Sequence, residues 1–192
     1  MGKLDDLEWF PAETREQWRA WLTANHDSAP GIWLVTWRKG AERPTLDYGA
    51  AVEEALAWGW IDTKAGSVDD ERTRLAFTPR KAGSGWSRPN KERIARLEAA
   101  GLMQPPGRAL IDAAKADGSW TLLDDVEDLV VPPDLAEAFA RHPGSREAWD
   151  AFPPSPRKLM LMWVVTAKRP ETRASRIDQI AAAAAEGERA RG

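Results

Sequence analysis

The segment FTPRKAGSGWSRPNKERI, residues 77–94, concentrates side chains that bind anions. Residues 72–91 hold six Arg and Lys side chains and no Asp or Glu, although the whole chain has a formal net charge of −3. An acidic chain with one basic segment favours a local anion site over a general nucleic-acid coat. The sequence therefore predicts that a small anionic ligand, one bearing phosphate, binds at this segment.

The residue types in this segment suit such a ligand. Arginine forks match phosphate or carboxylate, and lysine adds a compact charge. Gly83 and Gly85 would let the backbone approach a ligand closely, and Trp86 would stack on a base or sugar. The alternative is a solvated loop that Trp86 anchors to the core. The candidate ligand-binding residues are Arg72, Arg74, Arg80, Lys81, Trp86, Ser87, Asn90, Lys91, Arg173 and Arg176.

A second basic run, AKRPETRASRI, lies near the C-terminus. In a helix that starts at Pro170, Arg169, Arg173 and Arg176 share one face because they are spaced i, i+4, i+7. These arginines either join the first segment around one anion or form ion pairs with acids such as Asp62, Asp69 or Asp134. We favour the ion pairs, since arginine is common in them.

Several classes of site are disfavoured by composition. The chain has no cysteine and two histidines, which excludes thiolate chemistry and a histidine-rich metal site. It has no dinucleotide fingerprint, P-loop or HExxH motif. We therefore expect no metal, no cofactor and no catalytic residue, and an enzyme is the less favoured class.

The sequence also bears on location. The first residues, MGKLDDLEWF, lack the apolar region of a signal peptide, and the longest apolar run, LMLMWVV, is too short to span a membrane. We expect a cytoplasmic protein without membrane contact. The oligomeric state stays open.

The pattern of elements predicts an α+β fold with a small mixed or antiparallel sheet and an all-α C-terminal part. We expect an α+β domain over residues 1–128, which contains the basic loop, and a helical domain over 129–192. Strands are predicted at GIWLVTWRKG, WIDTKAGS and RTRLAFTPR, where Arg72 and Arg74 should share one face and Leu75 and Phe77 should pack inward.

Helices are predicted from apolar spacing and from capping residues. The first covers PAETREQWRAWLTANH, with Pro11 in its first turn. The second follows Asp47 as N-cap, ends near Gly59, and should bury Tyr48, Val52 and its other apolar residues while Glu53 and Glu54 face solvent. Others cover NKERIARLEAAG, PPGRALIDAAKADG, VPPDLAEAFARHPG, SPRKLMLMWVVTAK (capped by Ser155) and a final helix from Pro170. The acidic run TLLDDVEDLVVPP is predicted to be a linker.

Several short runs resemble the bacteriocin-protection, OmpD-associated (YdeI-like) family of bacterial proteins. They are WLTANH, GIWL, AVEEALAWGWID, FTPRKAGSGWSRPNKERI, GLMQPPGRALIDAAKADGSW, VPPDL and AKRPETRASRI, in this order across residues 9–185. The resemblance implies a small α+β domain followed by a helical part, and a role in bacteriocin protection or a link to an outer-membrane porin.

Three hypotheses on function follow. The first is a non-enzymatic binder of a small anion. The second is a single-stranded nucleic-acid binder, for which a basic groove and an exposed tryptophan would be needed; the overall acidic charge disfavours it. The third is an enzyme acting on a phosphorylated metabolite, with Lys91 or Arg80 stabilising charge.

Overall fold

The computed structural model describes residues 4–190, which fold into an α+β arrangement, as the sequence predicts. Their contacts separate two compact units. The first unit comprises residues 4–84 and 89–118, and the second comprises residues 85–88 and 119–190. Whether the boundary predicted at residue 128 separates independently folding parts stays a prediction.

The first unit contains a four-stranded mixed sheet. Its strands are β1 (Trp9–Pro11), β2 (Ile32–Trp37), β3 (Trp60–Ser67) and β4 (Arg72–Pro79). The spatial order is β1-β2-β4-β3, with β1 parallel to β2 and the other pairs antiparallel. The three predicted strands are confirmed. The sequence missed β1, because Pro11 was assigned to a helix that in fact starts four residues later.

Alternation along β4 places Arg72 and Arg74 on one face of the sheet and Leu75 and Phe77 on the other. Arg74 pairs with Val35 and Phe77 with Ile32 in the β2–β4 register. Phe77 is fully buried, as predicted, whereas Leu75 is half-buried. The face that carries Arg72 and Arg74 is called here the outer face of the sheet.

Four α-helices lie in the first unit, except that Arg88, the first residue of α3, belongs to the second unit: α1 (Arg15–Asn25), α2 (Tyr48–Ala57), α3 (Arg88–Ala99) and α4 (Pro105–Asp117). Helix α2 has the predicted cap, since the Asp47 carboxylate accepts hydrogen bonds from the first-turn amides. The other face of the sheet packs against α1, where Trp18 contacts the ring of Phe77.

Two details of α2 correct the sequence prediction. Val52, Ala55 and Leu56 are buried as expected, but Tyr48 is 55% exposed and Glu54 is 3% exposed. Apolar spacing predicted that Tyr48 is buried and Glu54 exposed. A glutamate is buried only where it has charged or polar partners, and the spacing does not show these partners.

The second unit is helical. It contains α5 (Asp124–Glu127), α6 (Pro133–Arg141), α7 (Ser145–Ala151), α8 (Pro154–Val165) and α9 (Pro170–Ala185). The start of α9 at Pro170 is confirmed, whereas α8 starts at Pro154 and so lacks the predicted Ser155 cap.

The acidic run 121–133 is part of the second unit's core and does not act as a bare linker. Leu123 and Val126 are buried in that core, and the carboxylate of Glu127 accepts a 2.6 Å hydrogen bond from Lys158. Charge density suggested a solvated linker, but the apolar positions between the acids point inward. Within residues 4–190, no helix has the length and hydrophobicity to cross a membrane.

Candidate functional site

The first half of the predicted basic loop forms a compact turn in the first unit. The Arg80 amide donates to the Gly59 carbonyl (2.9 Å), and its Nη2 donates to the Ser84 carbonyl (3.4 Å). The Ser84 hydroxyl donates to the Lys81 carbonyl (2.6 Å). Gly83 adopts φ +71°, a left-handed conformation that glycine accommodates without strain.

The guanidinium of Arg80 lies in a desolvated environment. Burial lowers the pKa of Arg80 to about 10, because the charged form loses hydration. The group nevertheless stays ionised at neutral pH. Lys81, next to it in the chain, is exposed. The loop therefore presents one half-buried and one exposed cation in sequence.

The second half of the predicted loop, residues 85–88, belongs to the second unit. Trp86 is 2% exposed, and its ring centroid lies 5.3 Å from that of Trp120. A Cβ on Gly85 would lie 2.6 Å from Leu123 Cγ, so this glycine permits close packing of a leucine and not of a ligand. The expectation that Trp86 offers a stacking surface to a ligand is corrected, because its ring is buried. Ser87 is half-buried.

Arg72 and Arg74 are engaged on the outer face of the sheet. Arg72 binds Asp69 Oδ2 through Nε (2.8 Å) and Nη2 (2.6 Å). Arg74 lies between two indoles, with its Cζ 4.6 Å from the ring centroid of Trp9 and 4.3 Å from that of Trp33. These are cation–π distances. Both arginines therefore have structural contacts within the first unit.

The two C-terminal arginines form contacts within the second unit. Arg173 binds the Asp134 carboxylate through Nε (2.6 Å) and Nη2 (3.0 Å), and this lowers the pKa of Asp134. Arg176 donates from Nη1 to the Trp163 carbonyl (2.5 Å). The ion pair of Arg173 with Asp134 is the arrangement that the sequence favoured for this run.

The start of α3 brings together a cluster that the sequence did not identify. The Asn90 side-chain oxygen accepts from Arg93 Nη1 (3.1 Å), and the Arg93 Cζ lies 5.9 Å from the ring centroid of Tyr48. The Tyr48 hydroxyl donates to Asp62 Oδ2 (3.0 Å). Lys91, the neighbour of Asn90 in the chain, is half-buried. Tyr48 escaped notice because its ring was assigned to the apolar face of α2.

The electrostatics of this cluster favour hydrogen-bond donation over proton transfer. Burial and the nearby Asp62 carboxylate raise the pKa of Tyr48, so its phenol stays protonated at neutral pH. Among the described residues, no group of three or more His, Asp or Glu side chains is placed to hold a metal ion.

Comparisons with known families match two separate parts of the chain. Residues 10–110, more than half of the chain, match the family described as a domain of unknown function (DUF8412). Residues 128–187 match the family described as Bacteriocin-protection, YdeI or OmpD-Associated, which confirms the resemblance seen in the sequence. No curated protein and no solved structure matches the chain significantly.

Proposed function

The chain belongs to the DUF8412 family and carries a Bacteriocin-protection, YdeI or OmpD-Associated region, and from its geometry we propose that it binds a small phosphate-bearing anion. The binding residues are Arg80 and Lys81 of the basic loop, with Asn90, Lys91 and Arg93 at the start of α3 as further contributors. All five belong to the first unit.

The observation that carries this proposal is the half-buried charge of Arg80. The depressed pKa of Arg80 shows that burial penalises its ionised form, and an anion beside it would offset that penalty. The Ser84 carbonyl, which accepts from Arg80 Nη2 over 3.4 Å, is one of the partners of this guanidinium. Because water screens the site less than it screens an exposed arginine, a bound anion gains more Coulomb energy there.

The surroundings of Arg80 in the sequence favour phosphate as the anion. Residues 72–91 themselves contain no Asp or Glu. A phosphate group offers several charged oxygens, which an arginine fork, a lysine and a side-chain amide can share. The guanidinium of Arg93, held by Asn90, supplies a second fork on the same unit.

The proposal is tested by calorimetric titration with inorganic pyrophosphate. We compare wild type with Arg80→Gln and Lys81→Gln, and use Arg146→Gln as the matched control. Arg146 is an exposed arginine of α7 that pairs with Asp150, so its replacement removes the same charge from the other unit. Loss of one charge-assisted hydrogen bond should weaken binding about tenfold or more, whereas the control should bind like wild type.

The Lys81→Gln variant keeps this test decisive if Arg80→Gln disturbs the fold. Lys81 is exposed, so its replacement should leave unfolding unchanged and still weaken binding. Absence of saturable pyrophosphate binding to wild type, or equal weakening in the Arg146→Gln control, would refute the proposal.

The nucleic-acid alternative depended on an exposed Trp86, and the burial of that ring removes its main argument. A cytoplasmic location is part of the proposal, and fractionation of cells that express the protein tests it.

A further inference from the structure

A cavity of about 250 Å³ lies in the first unit, away from the basic loop in the sequence. Residues of α1, α2 and α3 and of the connection to α4 line it. Its apolar walls include the side chains of Leu97 and Leu102 and the indole of Trp58, and its polar walls include Arg19 and Glu54. This volume is below the usual range of about 300–1,000 Å³ for drug-sized ligands, so it suits a molecule with one ring or a short chain.

The guanidinium of Arg19 is held in a fixed orientation at this cavity. It binds Glu54 through two parallel hydrogen bonds, from Nε to Oε2 (2.9 Å) and from Nη2 to Oε1 (2.6 Å). The planar fork then directs Nη1, with its two N–H groups, away from Glu54. The hydrogen bond with Glu54 raises the pKa of Arg19, so this donor remains charged.

The buried carboxylate of Glu54 is already occupied. It accepts from Arg15 as well as from Arg19, so both of its oxygens have donors. The ion pairs join Arg15, Arg19 and Arg96 to Glu53 and Glu54, and the Glu16 carboxylate also interacts with Arg19, so the charges of this group balance. Since both Glu54 oxygens already have donors, the group of this pair that remains for a ligand is the cationic donor Arg19, which favours an anion over an amine.

The indole of Trp58 forms a firm apolar wall. Its ring packs against the imidazole of His26, with the two ring centroids 4.4 Å apart. A ligand whose charged end contacts Arg19 would place its apolar part against Trp58 and Leu97. Small-ligand pockets typically combine an apolar interior with a few placed polar groups, and the geometry of an arginine matches that of a carboxylate.

We propose that this cavity binds a small monocarboxylate with an apolar or aromatic body, whose carboxylate contacts Arg19 Nη1. The site is distinct from the phosphate site proposed above, because it uses α1 and α2 residues and no residue of the basic loop.

The test uses ¹H–¹⁵N NMR titration of the full chain with benzoate, and with benzamide as the neutral isostere. We expect the Trp58 indole N–H resonance, assigned with Trp58→Phe, to shift saturably with benzoate and much less with benzamide. Arg19→Gln should weaken benzoate binding about tenfold or more. Arg96→Gln is the matched control, because Arg96 belongs to the same group of ion pairs but does not line the cavity.

The two variants separate a specific contact from a general effect of charge. Equal weakening by Arg19→Gln and Arg96→Gln would overturn the proposal, as would equal binding of benzoate and benzamide or a titration of wild type without saturation. If Arg19→Gln fails to fold, Trp58→Leu serves instead, with benzoate binding followed through the backbone amide resonances of the cavity residues, since this variant removes the indole wall and leaves the ion pairs intact. Unchanged benzoate binding in Trp58→Leu would overturn the proposal.

Discussion

The ion pairs of Glu54 yield a sharp prediction for the replacement Glu54→Gln. The Glu54 side chain is 4% exposed, whereas those of its partners Arg15 and Arg19 are 29% and 43% exposed. Breaking a fully buried pair costs about 3–5 kcal/mol. Because both arginines regain water when released, we expect a smaller loss, about 2–3 kcal/mol in the free energy of unfolding.

The magnitude is measurable by urea unfolding followed by circular dichroism, and by thermal unfolding. At about 2–4 °C per kcal/mol for a chain of this size, the melting temperature should fall by about 4–12 °C. Glu53→Gln is the control: Glu53 is 18% exposed, and its partner Arg96 is 60% exposed. A pair of this kind contributes about 0–1 kcal/mol.

The pH dependence adds a second readout of the same prediction. Burial raises the pKa of Glu54, but the hydrogen bonds from Arg19 and Arg15 outweigh it, so this pKa lies below its ordinary value of 4.5. Because the pKa of Glu54 is lower in the folded state than in the unfolded state, the ionised carboxylate stabilises the fold at pH values above its ordinary pKa. This stabilisation is lost as the pH falls through the folded-state pKa. The difference in stability between wild type and Glu54→Gln should therefore be constant above pH 4.5 and shrink below it. Equal effects of Glu54→Gln and Glu53→Gln at neutral pH would refute the reasoning.

Three further predictions concern packing and charge. Gly107→Ala should destabilise the first unit by about 1–3 kcal/mol, because the new Cβ would lie 2.3 Å from the Ala57 carbonyl oxygen; thermal unfolding measures this loss. Asp134→Asn should destabilise the second unit at pH 7, because Arg173 lowers the pKa of Asp134 below its ordinary 3.8; a loss that persists well below that pH would contradict this origin. Gly85→Ala should reduce the melting temperature, because the added methyl group overlaps a leucine side chain, and an unchanged melting temperature would show that this contact relaxes freely.

The sequence predicted elements whose signals are local. The strand β2 is a short apolar run between glycines, and Asp47 caps α2 because its carboxylate reaches amides two and three residues ahead. By contrast, β1 has three residues, too few for an alternation to show, and it forms through pairing with β2. Short α7 was missed for the same reason of length.

The candidate site was predicted less well, because its contacts are distant in sequence. The number of cations in the basic loop can be read directly from the sequence. Among these cations, Arg80 remains the best candidate for binding an anion. The burial of Trp86 depends on Trp120, and that of Glu54 on an arginine 35 residues away. The aromatic neighbours of Arg74 come from β1 and β2. Composition and spacing do not predict these contacts between residues that are distant in the sequence.

The segment 85–88 has a consequence for how such chains can evolve. It lies between two stretches of the first unit, yet its buried tryptophan packs against Trp120 of the second unit. Recombination at a single junction between residues 88 and 119 would combine Trp86 of one parent with the helical part of the other parent, including its residue at position 120. Exchange of the helical part between relatives therefore requires matched changes at both places, and we expect the two parts to be inherited together.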